Sequence, residues 1–539
     1  MKKLIAVLSG LVVLSILLAG VFTAGLFAGG VVFPRELSSI SESLPFLSDQ
    51  EESKASATVV PSETTTQVTD YNAEELDELF DPFWEAWDIV DEQYVDQPVD
   101  DEAMMKGALQ GMLATFETMP RTELESINIP EGTEAATPEE LQDIFEPFWR
   151  GWIYAHNPDD QALVYGAIDG MLESLGDPHT SYMTPDQFTQ ANIPLEGTYE
   201  GIGAWVDPNQ EYLTIVSPME GSPAEEAGVQ PGDQIIAVDG EDMTGIDGNL
   251  VIRRILGPAG STVTLTIRRE GVEEPFDVEI TRAEITIPSV ESRMLDNDVA
   301  YVQLLTFGDD TREELRDALE TVLAENPQGL VFDLRNNGGG YLQTAVEVAS
   351  EFIDEGVVLY EVYGDDSRQT FEANGEGLAT DIPLVVLINA GTASASEIVS
   401  GAIQDYERAP LVGSITFGKG SVQNWVPLSN DQGAVRVTVA RWYTPEERQI
   451  SQVGLTPDHP VAVISQGAID EGFDPNSFQV PLDQVVVLSE EQIEEGVDPQ
   501  LEVATEVLLS GEQVDVPALL QTLGYTTADQ VSTTTSNQE

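Results

Sequence analysis

The sequence predicts a multidomain protein of α/β and β class, with a helical N-terminal region, a small β domain and an α/β core. Three observations lead to this prediction. The chain has 539 residues and 41% hydrophobic content, which is enough for several domains with cores of their own. Two similar segments within residues 70–197 indicate helices, and residues 198–284 show short strand-like alternation. Strands and helices then alternate over residues 285–469.

Composition narrows the classes of function. The formal net charge is -74, so the surface repels phosphates and anionic lipid, and we expect no nucleic-acid partner. The chain has no cysteine, which excludes a thiol nucleophile, a thiolate zinc site and any disulfide. Its only histidines are His156, His179 and His459, so we expect no metal site, and we expect no cofactor.

The N-terminus carries the pattern of a membrane segment. Lys2 and Lys3 precede an uncharged stretch from Leu4 to Phe33, longer than a usual signal-peptide core. We expect residues 1–33 to be an uncleaved single-pass anchor with the remaining chain outside the cytoplasm. A cleaved signal, which would give a secreted protein, is the alternative. Residues 34–69 are rich in Ser, Thr and Glu and predict a flexible stalk.

Two similar segments within residues 70–197 predict a duplicated helical hairpin. Its aromatic residues are expected to be core rather than ligand site. The recurring pieces are Phe80–Trp84 with Trp87, matched by Phe145–Trp149 with Trp152, and Gly107–Leu113, matched by Gly166–Leu172.

Residues 198–284 predict a small β domain, in which a Gly201–Ala204 loop precedes a strand, Ser222–Val229 predicts a short helix, and Gln234–Val238 predicts a strand that ends in an Asp-Gly turn. Together these pieces resemble a PDZ domain. The resemblance implies that a peptide is added as a strand, with its terminal carboxylate on the amides of Gly201, Ile202, Gly203 and Ala204. We expect apolar terminal residues to be preferred, because Ile202 and the following strand would offer an apolar groove.

The α/β core is predicted from alternating elements after residue 285. Its strands and helices are expected at Ala300–Leu304, Thr311–Ala324, Gly329–Leu334, Thr344–Ile353, Ile382–Asn389 and Ser394–Tyr406. Residues 470–525 predict an acidic, helical C-terminal region with a helix over Gln500–Leu509. Residues 526–539 are expected to be a disordered tail.

Ser394 follows a predicted strand and a turn of small residues, and it begins a helix. One interpretation is a capping box, in which Ser394 caps the helix and Glu397 lies three residues on. The other is a nucleophile, because amides at the start of a helix stabilise an oxyanion. Ser396 is a rival for the nucleophile.

Lys419 is the only lysine after Lys106, and it lies between Gly418 and Gly420, which are expected to allow close backbone approach. Arginine supplies the other positive side chains there, which suggests that an amine able to lose its proton is needed. Burial without a carboxylate partner would lower its pKa from about 10.4. An ordinary lysine in a surface turn is the alternative. Gln423, four residues on, is a candidate for positioning the amine.

The segment Asp333–Gly340 ends a buried strand in a glycine loop. Its amides are candidates for the other half of an oxyanion hole. A nucleotide site is poorly supported because no P-loop lysine follows. His179 is expected to be structural.

From about Trp149 to Asp458 the chain resembles the carboxy-terminal processing peptidases, which are serine–lysine proteases with an embedded PDZ domain. The resemblance implies that Ser394 is the nucleophile, Lys419 the general base and Gln423 its positioning partner. It also implies oxyanion amides from Ala395 and from Gly339 in the 338–340 loop. Besides the PDZ segment, it is carried by GDPHTSY (Gly176–Tyr182), DLRNNGGG (Asp333–Gly340), ASASE (Ala393–Glu397), GKGSVQ (Gly418–Gln423) and GLTPD (Gly454–Asp458).

Two departures from the family accompany the match: Gly338 stands where the family usually has proline, and Leu256 where it often has arginine. The second departure means that the coupling between the PDZ domain and the core, which the resemblance implies, does not carry over directly to this chain. We expect an exported endopeptidase that processes proteins bearing free C-termini. The alternatives are a catalytically inactive PDZ adaptor and a tricorn-like serine hydrolase that uses His179.

Overall fold

The computed structural model describes residues 73–115, 160–511 and 514–535. These residues divide into two compact units. The larger unit contains Asp186–Val422 and the chain from Ala440 onward, and the smaller contains the chain up to Pro185 together with Gln423–Val439. The predicted anchor, the stalk and the Phe145–Trp149 motif lie outside the described residues. Within the described ranges, no helix has the length and apolar character needed to cross a bilayer.

The smaller unit is built on helices that meet at glycines. Gly107 and Gly111 face Gly166 and Gly170, and a Cβ atom on Gly111 would lie 1.9 Å from the Gly166 carbonyl oxygen. Only glycine allows the two helices to approach so closely, which accounts for the repeated glycine motif. Phe83 and Trp87 are fully buried, so the first aromatic motif is core, as predicted. The elements are α1 (Ala73–Gln93), α2 (Asp101–Ala114), α3 (Asp160–Glu173) and β1 (Ser181–Met183).

Helix α4 (Pro185–Glu196) leads into the β domain. Strand β2 pairs with β9, and the main antiparallel sheet has the order β3-β4-β5-β7-β8, with β6 beside β5. Strand β3 therefore lies at an edge of this sheet. The elements are β2 (Thr198–Gly201), β3 (Ala204–Asp207), β4 (Leu213–Pro218), α5 (Pro223–Glu226), β5 (Gln234–Val238), β6 (Glu241–Asp242), α6 (Gly248–Ile255), β7 (Thr262–Arg268), β8 (Phe276–Thr281) and β9 (Ala283–Thr286).

The core is a six-stranded sheet of order β10-β11-β12-β15-β16-β19. Within this sheet, β11, β12, β15, β16 and β19 run parallel to one another, whereas β10 is antiparallel to β11. Every residue of β12 and β15 is buried, as expected for parallel strands covered on both faces. The elements are β10 (Val290–Met294), β11 (Val299–Leu304), α7 (Thr311–Ala324), β12 (Gly329–Asp333), α8 (Leu342–Ser350), β13 (Val357–Tyr363), β14 (Arg368–Glu372), β15 (Leu384–Ile388), α9 (Ala395–Asp405), β16 (Leu411–Gly413), β17 (Ser421–Pro427), β18 (Ala434–Tyr443) and β19 (His459–Pro460).

The α/β class predicted for the core is confirmed, and helix α7 has the predicted bounds. Because the carboxyl ends of parallel strands meet at one edge of the sheet, the loops after β12 and β15 lie side by side. The start of β18 pairs with β1, and its last four residues pair with β13.

The C-terminal region corrects one prediction. The tail expected to be disordered forms a helix over Ala528–Thr535. Ala528 is 2% exposed and packs with Val531 into an apolar cluster that includes Val485, and this burial stabilises the helix. The elements are β20 (Ala462–Ser465), α10 (Gln466–Asp470), β21 (Val485–Leu488), α11 (Glu490–Glu494), α12 (Pro499–Ser510), α13 (Val516–Leu523) and α14 (Ala528–Thr535).

Candidate active site

Ser394 lies at the tip of a strained turn between β15 and α9. Its backbone has φ 55° and ψ −117°, and its side chain makes no capping hydrogen bond. An L-residue adopts this conformation only when its surroundings impose it. A similar strained strand–turn–helix segment presents the nucleophilic serine of α/β-hydrolases. The Glu397 half of the predicted capping box is present, because the Glu397 carboxylate accepts a hydrogen bond from the Ser394 N–H.

Ser396, the rival nucleophile, is fully buried. Its hydroxyl donates a hydrogen bond of 3.0 Å to the carbonyl oxygen of Asn337. Ser396 therefore joins α9 to the loop after β12. A side chain sealed in this way does not reach a substrate.

Glu397 connects the serine turn to the lysine loop. Its Oε2 atom accepts hydrogen bonds of 2.9 Å from the N–H groups of both Ser394 and Lys419. Its Oε1 atom accepts 2.7 Å from the Gly418 N–H and 2.5 Å from the Thr416 hydroxyl. The carboxylate is fully buried. Burial raises the pKa of Glu397, and its four donors act in the opposite direction.

From the sequence, Glu397 is predicted only as part of a helix cap. Its position in the helix nevertheless indicates a buried carboxylate with several hydrogen-bond donors. Glu397 is the one charged residue in α9 before Asp405, in a helix of otherwise small and apolar residues. A carboxylate in such a setting needs several donors to offset its desolvation.

The lysine loop is held tightly by its backbone. A Cβ atom on Gly418 would lie 2.8 Å from the Gly454 amide nitrogen, and one on Gly420 would lie 2.9 Å from Ser451. The Lys419 carbonyl oxygen accepts 2.8 Å from the Trp442 indole N–H. Lys419 itself is half-buried. The predicted reason for the flanking glycines, close backbone approach, is confirmed.

The loop after β12 reaches Ser394 through Gly339. This glycine has φ 102°, and a Cβ atom on it would lie 2.8 Å from the Ser394 Cβ and 2.9 Å from the Ala395 nitrogen. Only glycine therefore allows the loop after β12 to lie this close to the Ser394 backbone.

The predicted oxyanion role of Gly339 stays a prediction, and its N–H has another partner in this structure. Its N–H donates 2.8 Å to the side-chain oxygen of Asn337, two residues earlier, in a turn typical of asparagine. Ala395, the first residue of α9, has no partner for its N–H within the described residues, as expected at a helix start. The Ala395 N–H thus stays a candidate for the oxyanion amide.

Two ion pairs that share Arg335 fix the base of the same loop. Arg335 contacts Asp333 at 2.6 Å and Asp498 at 2.8 Å. Asp498 also caps helix α12 by accepting 3.0 Å from the Leu501 N–H. The C-terminal region is therefore tied to the loop beside Ser394, a connection that the sequence did not reveal.

Gln423 and His179 belong to the smaller unit, in a polar network around Asp177. The Gln423 amide donates 3.2 Å to the Thr438 hydroxyl, which donates 2.5 Å to Asp177. His179 donates its backbone N–H to Asp177 at 2.9 Å and accepts at its carbonyl from Arg436 at 3.0 Å. The backbone of His179 is therefore structural. Within the described ranges, no cluster of His, Asp and Glu is placed to hold a metal.

The glycine loop of the β domain turns its carbonyl groups inward. The Ile202 carbonyl accepts 2.8 Å from the Ala224 N–H, and the Gly203 carbonyl accepts 3.0 Å from the Met219 N–H. The Ile202 side chain is 5% exposed and packs in the domain core. The expectation that Ile202 lines an apolar groove is therefore wrong.

Three family models match the chain. They are Peptidase family S41 over residues 298–461, PDZ domain over 214–269, and Activating protease CtpB N-terminal domain over 149–187. The carboxy-terminal-processing protease of Bartonella bacilliformis is 40% identical over 310 residues, which cover 57% of this chain and 71% of that protein.

Two further relatives are similar to the same extent. The carboxyl-terminal-processing protease of a Synechocystis species is 40% identical over 303 residues, covering 55% of this chain and 70% of the relative. The carboxy-terminal processing protease CtpA of Bacillus subtilis is 39% identical over 305 residues, covering 56% of this chain and 65% of the relative.

Proposed function

The chain belongs to the family of carboxy-terminal processing proteases, and we propose that it is an exported endopeptidase that processes the C-termini of proteins by a serine–lysine mechanism. It is a serine-type peptidase with a PDZ domain. We propose its catalytic residues, the feature of the substrate that it recognises, and its location.

The observation that carries the mechanism is the position of Glu397. One carboxylate oxygen accepts from the N–H groups of both Ser394 and Lys419, each at 2.9 Å. The two backbone nitrogens therefore lie within about twice a hydrogen-bond length of one another. Such a link supports a nucleophile and a base that act as a pair.

In the proposed reaction, the neutral Lys419 amine takes the proton of the Ser394 hydroxyl as the serine oxygen attacks the scissile carbonyl. The Ala395 N–H stabilises the resulting oxyanion. The Lys419 ammonium then returns the proton to the leaving amine, and water releases the acyl group by the reverse sequence. Gln423 is proposed to position the lysine amine.

The β domain is proposed to select the substrate by its terminal carboxylate. The inward carbonyl groups of Ile202 and Gly203 leave the N–H groups of the Gly201–Ala204 loop as the donors for an anion. Strand β3, at the edge of the sheet, is proposed to pair with the peptide. For its location, we propose anchoring through Leu4–Phe33, with the catalytic part outside the cytoplasm.

The test compares two peptides of identical sequence, one ending in a free acid and one in an amide. We expect the purified full chain to cleave the acid peptide, and to cleave the amide peptide at least about tenfold more slowly. Ser394→Ala is the matched control and should cleave neither. Equal rates for both peptides would contradict recognition of the terminal carboxylate. Turnover by the alanine variant would contradict the assignment of Ser394 as the nucleophile.

A further inference from the structure

The C-terminal region contacts the loop after β12 through Asp498, the residue that begins helix α12. Its Oδ1 and Oδ2 atoms accept hydrogen bonds of 2.9 and 2.8 Å from the two terminal nitrogens of Arg335. Such a two-pronged contact is the strong form of an arginine–carboxylate pair. Gln500, in the first turn of the same helix, accepts a further 3.1 Å from Arg335. The C-terminal region therefore supplies the acceptors for one edge of the guanidinium group.

A second edge of the Arg335 guanidinium is held by Asp333, the last residue of β12. The Nε atom of Arg335 donates 3.0 Å to Asp333, and its Nη2 atom donates 2.6 Å. Asp333 is itself fixed, because it is fully buried and accepts 2.7 Å from the Tyr301 hydroxyl group. Arg335, whose side chain is only 14% exposed, thus lies between a carboxylate of the sheet and a carboxylate of the C-terminal region. The planar guanidinium is oriented by both.

The loop that Arg335 opens is bonded to the serine turn. The Asn337 carbonyl oxygen accepts 3.0 Å from the Ala393 N–H and 3.0 Å from the Ser396 hydroxyl group. These two donors lie on either side of Ser394 in the chain. Only one residue separates Arg335 from Asn337, so a shift of the arginine moves the backbone against which the nucleophile is held.

We propose that Asp498 is a positioning residue for peptide cleavage, which holds Arg335 and through it the loop after β12 against the serine turn. The C-terminal region then belongs to the catalytic unit, although Asp498 lies beyond Asp458, the last residue of the motifs that carry the family resemblance. A small displacement of reacting groups lowers a rate strongly, even when its cause lies outside the site. This inference rests on the proposed function, because it takes Ser394 to be the nucleophile.

Asp498→Asn tests the inference, because asparagine begins a helix about as well as aspartate does. The capping bond of 3.0 Å from the Leu501 N–H can therefore be kept, while the charge that faces Arg335 is lost. The matched control is Asp515→Asn. Asp515 caps helix α13 in the same way, by accepting 3.2 Å from the Ala518 N–H, and its side chain is exposed.

Cleavage of the acid peptide by the purified full chain gives kcat and KM, at a temperature at which thermal unfolding shows every variant to be folded. We expect Asp498→Asn to lower kcat about ten- to hundredfold and to change KM by less than about threefold. Asp515→Asn should match the parent. The rate at which a fluorophosphonate labels Ser394 should fall together with kcat, because that reaction needs the serine turn but no bound peptide.

Arg335→Lys shows whether Asp498 acts through the arginine. Lysine keeps the positive charge beside Asp333 but loses the two-pronged contact with Asp498. We expect a similar loss of kcat, and little further loss in the double variant, because both changes break the same contact. If Asp498→Asn does not fold, Arg335→Lys takes its place in the test, with the same expected result.

Parent-like kcat and labelling of Asp498→Asn, even with a lower unfolding temperature, would overturn this inference and leave the proposed function standing, since the contact would then serve stability alone. Losses of kcat that multiply in the double variant would also overturn it, because Asp498 would not act through Arg335. A parent that neither cleaves the peptide nor is labelled at Ser394 would overturn both.

Discussion

The molecule contains two loops that present backbone amides, and they are held in different ways. At the serine turn, the geometry is fixed from inside by Glu397, which is fully buried and accepts four hydrogen bonds. At the Gly201–Ala204 loop, the carbonyl groups of Ile202 and Gly203 accept from the Ala224 and Met219 N–H groups, and the ring of Tyr199 packs against Gly201. One loop is fixed by a buried charged side chain, and the other by neutral backbone hydrogen bonds and side-chain packing.

This difference follows from what each loop must do. A catalytic amide has to be in position before the reaction begins, because any rearrangement adds to the barrier. A recognition loop has to distinguish an anionic chain end from other groups, and backbone N–H groups at such a loop favour an anion. The comparison yields three predictions about the catalytic loop, ordered by the size of the expected effect.

Ser394→Ala should have the largest effect. It removes the attacking oxygen while leaving the Glu397 network intact, so we expect peptide cleavage to fall by at least about a thousandfold with little change in stability. Cleavage of the acid peptide and thermal unfolding measure the two quantities. If only Ser396→Ala abolished cleavage, the nucleophile would have to be reassigned.

Lys419→Arg should lower the rate by at least about a hundredfold, because an arginine keeps the charge but does not act as a base near neutral pH. The backbone bond from residue 419 to Glu397 is retained, so the variant separates proton transfer from loop geometry. Lys106→Arg, at an exposed position on α2, is the matched control. Activity within a few-fold of the parent would make Lys419 an ordinary cation.

Glu397→Gln should have the smallest effect of the three. Three N–H groups and a hydroxyl converge on the carboxylate, and an amide group would place its own N–H against some of these donors. We expect a ten- to hundredfold loss of cleavage together with reduced stability.

The matched control for this variant is Glu407→Gln, at an exposed glutamate just beyond the same helix. Equal activity of Glu397→Gln and the parent would show that the serine turn keeps its geometry without the carboxylate, and the comparison of the two loops would fail.

Sequence patterns predicted much of this arrangement. Alternating strands and helices placed Ser394 at the start of a helix after a buried strand, and the glycines around Lys419 predicted its close backbone contacts. These predictions succeeded because they depend on local spacing, which the chain displays directly.

Other features depended on contacts between distant residues. Asn337 takes the Gly339 amide, Asp498 reaches back to Arg335, and Tyr199 covers Gly201. No local period encodes such contacts. The helix at Ala528–Thr535 was missed for the same reason, because its two apolar residues gain burial only against strands far earlier in the chain.

The most direct test of the account is to label the purified chain with a fluorophosphonate, which reacts with activated serine hydroxyls, and to locate the adduct by peptide mass spectrometry. The account predicts one adduct, on Ser394, that is strongly reduced in Lys419→Arg and retained in Lys106→Arg. An adduct on Ser396 or elsewhere, or labelling of Ser394 that is indifferent to the loss of the Lys419 amine, would contradict it.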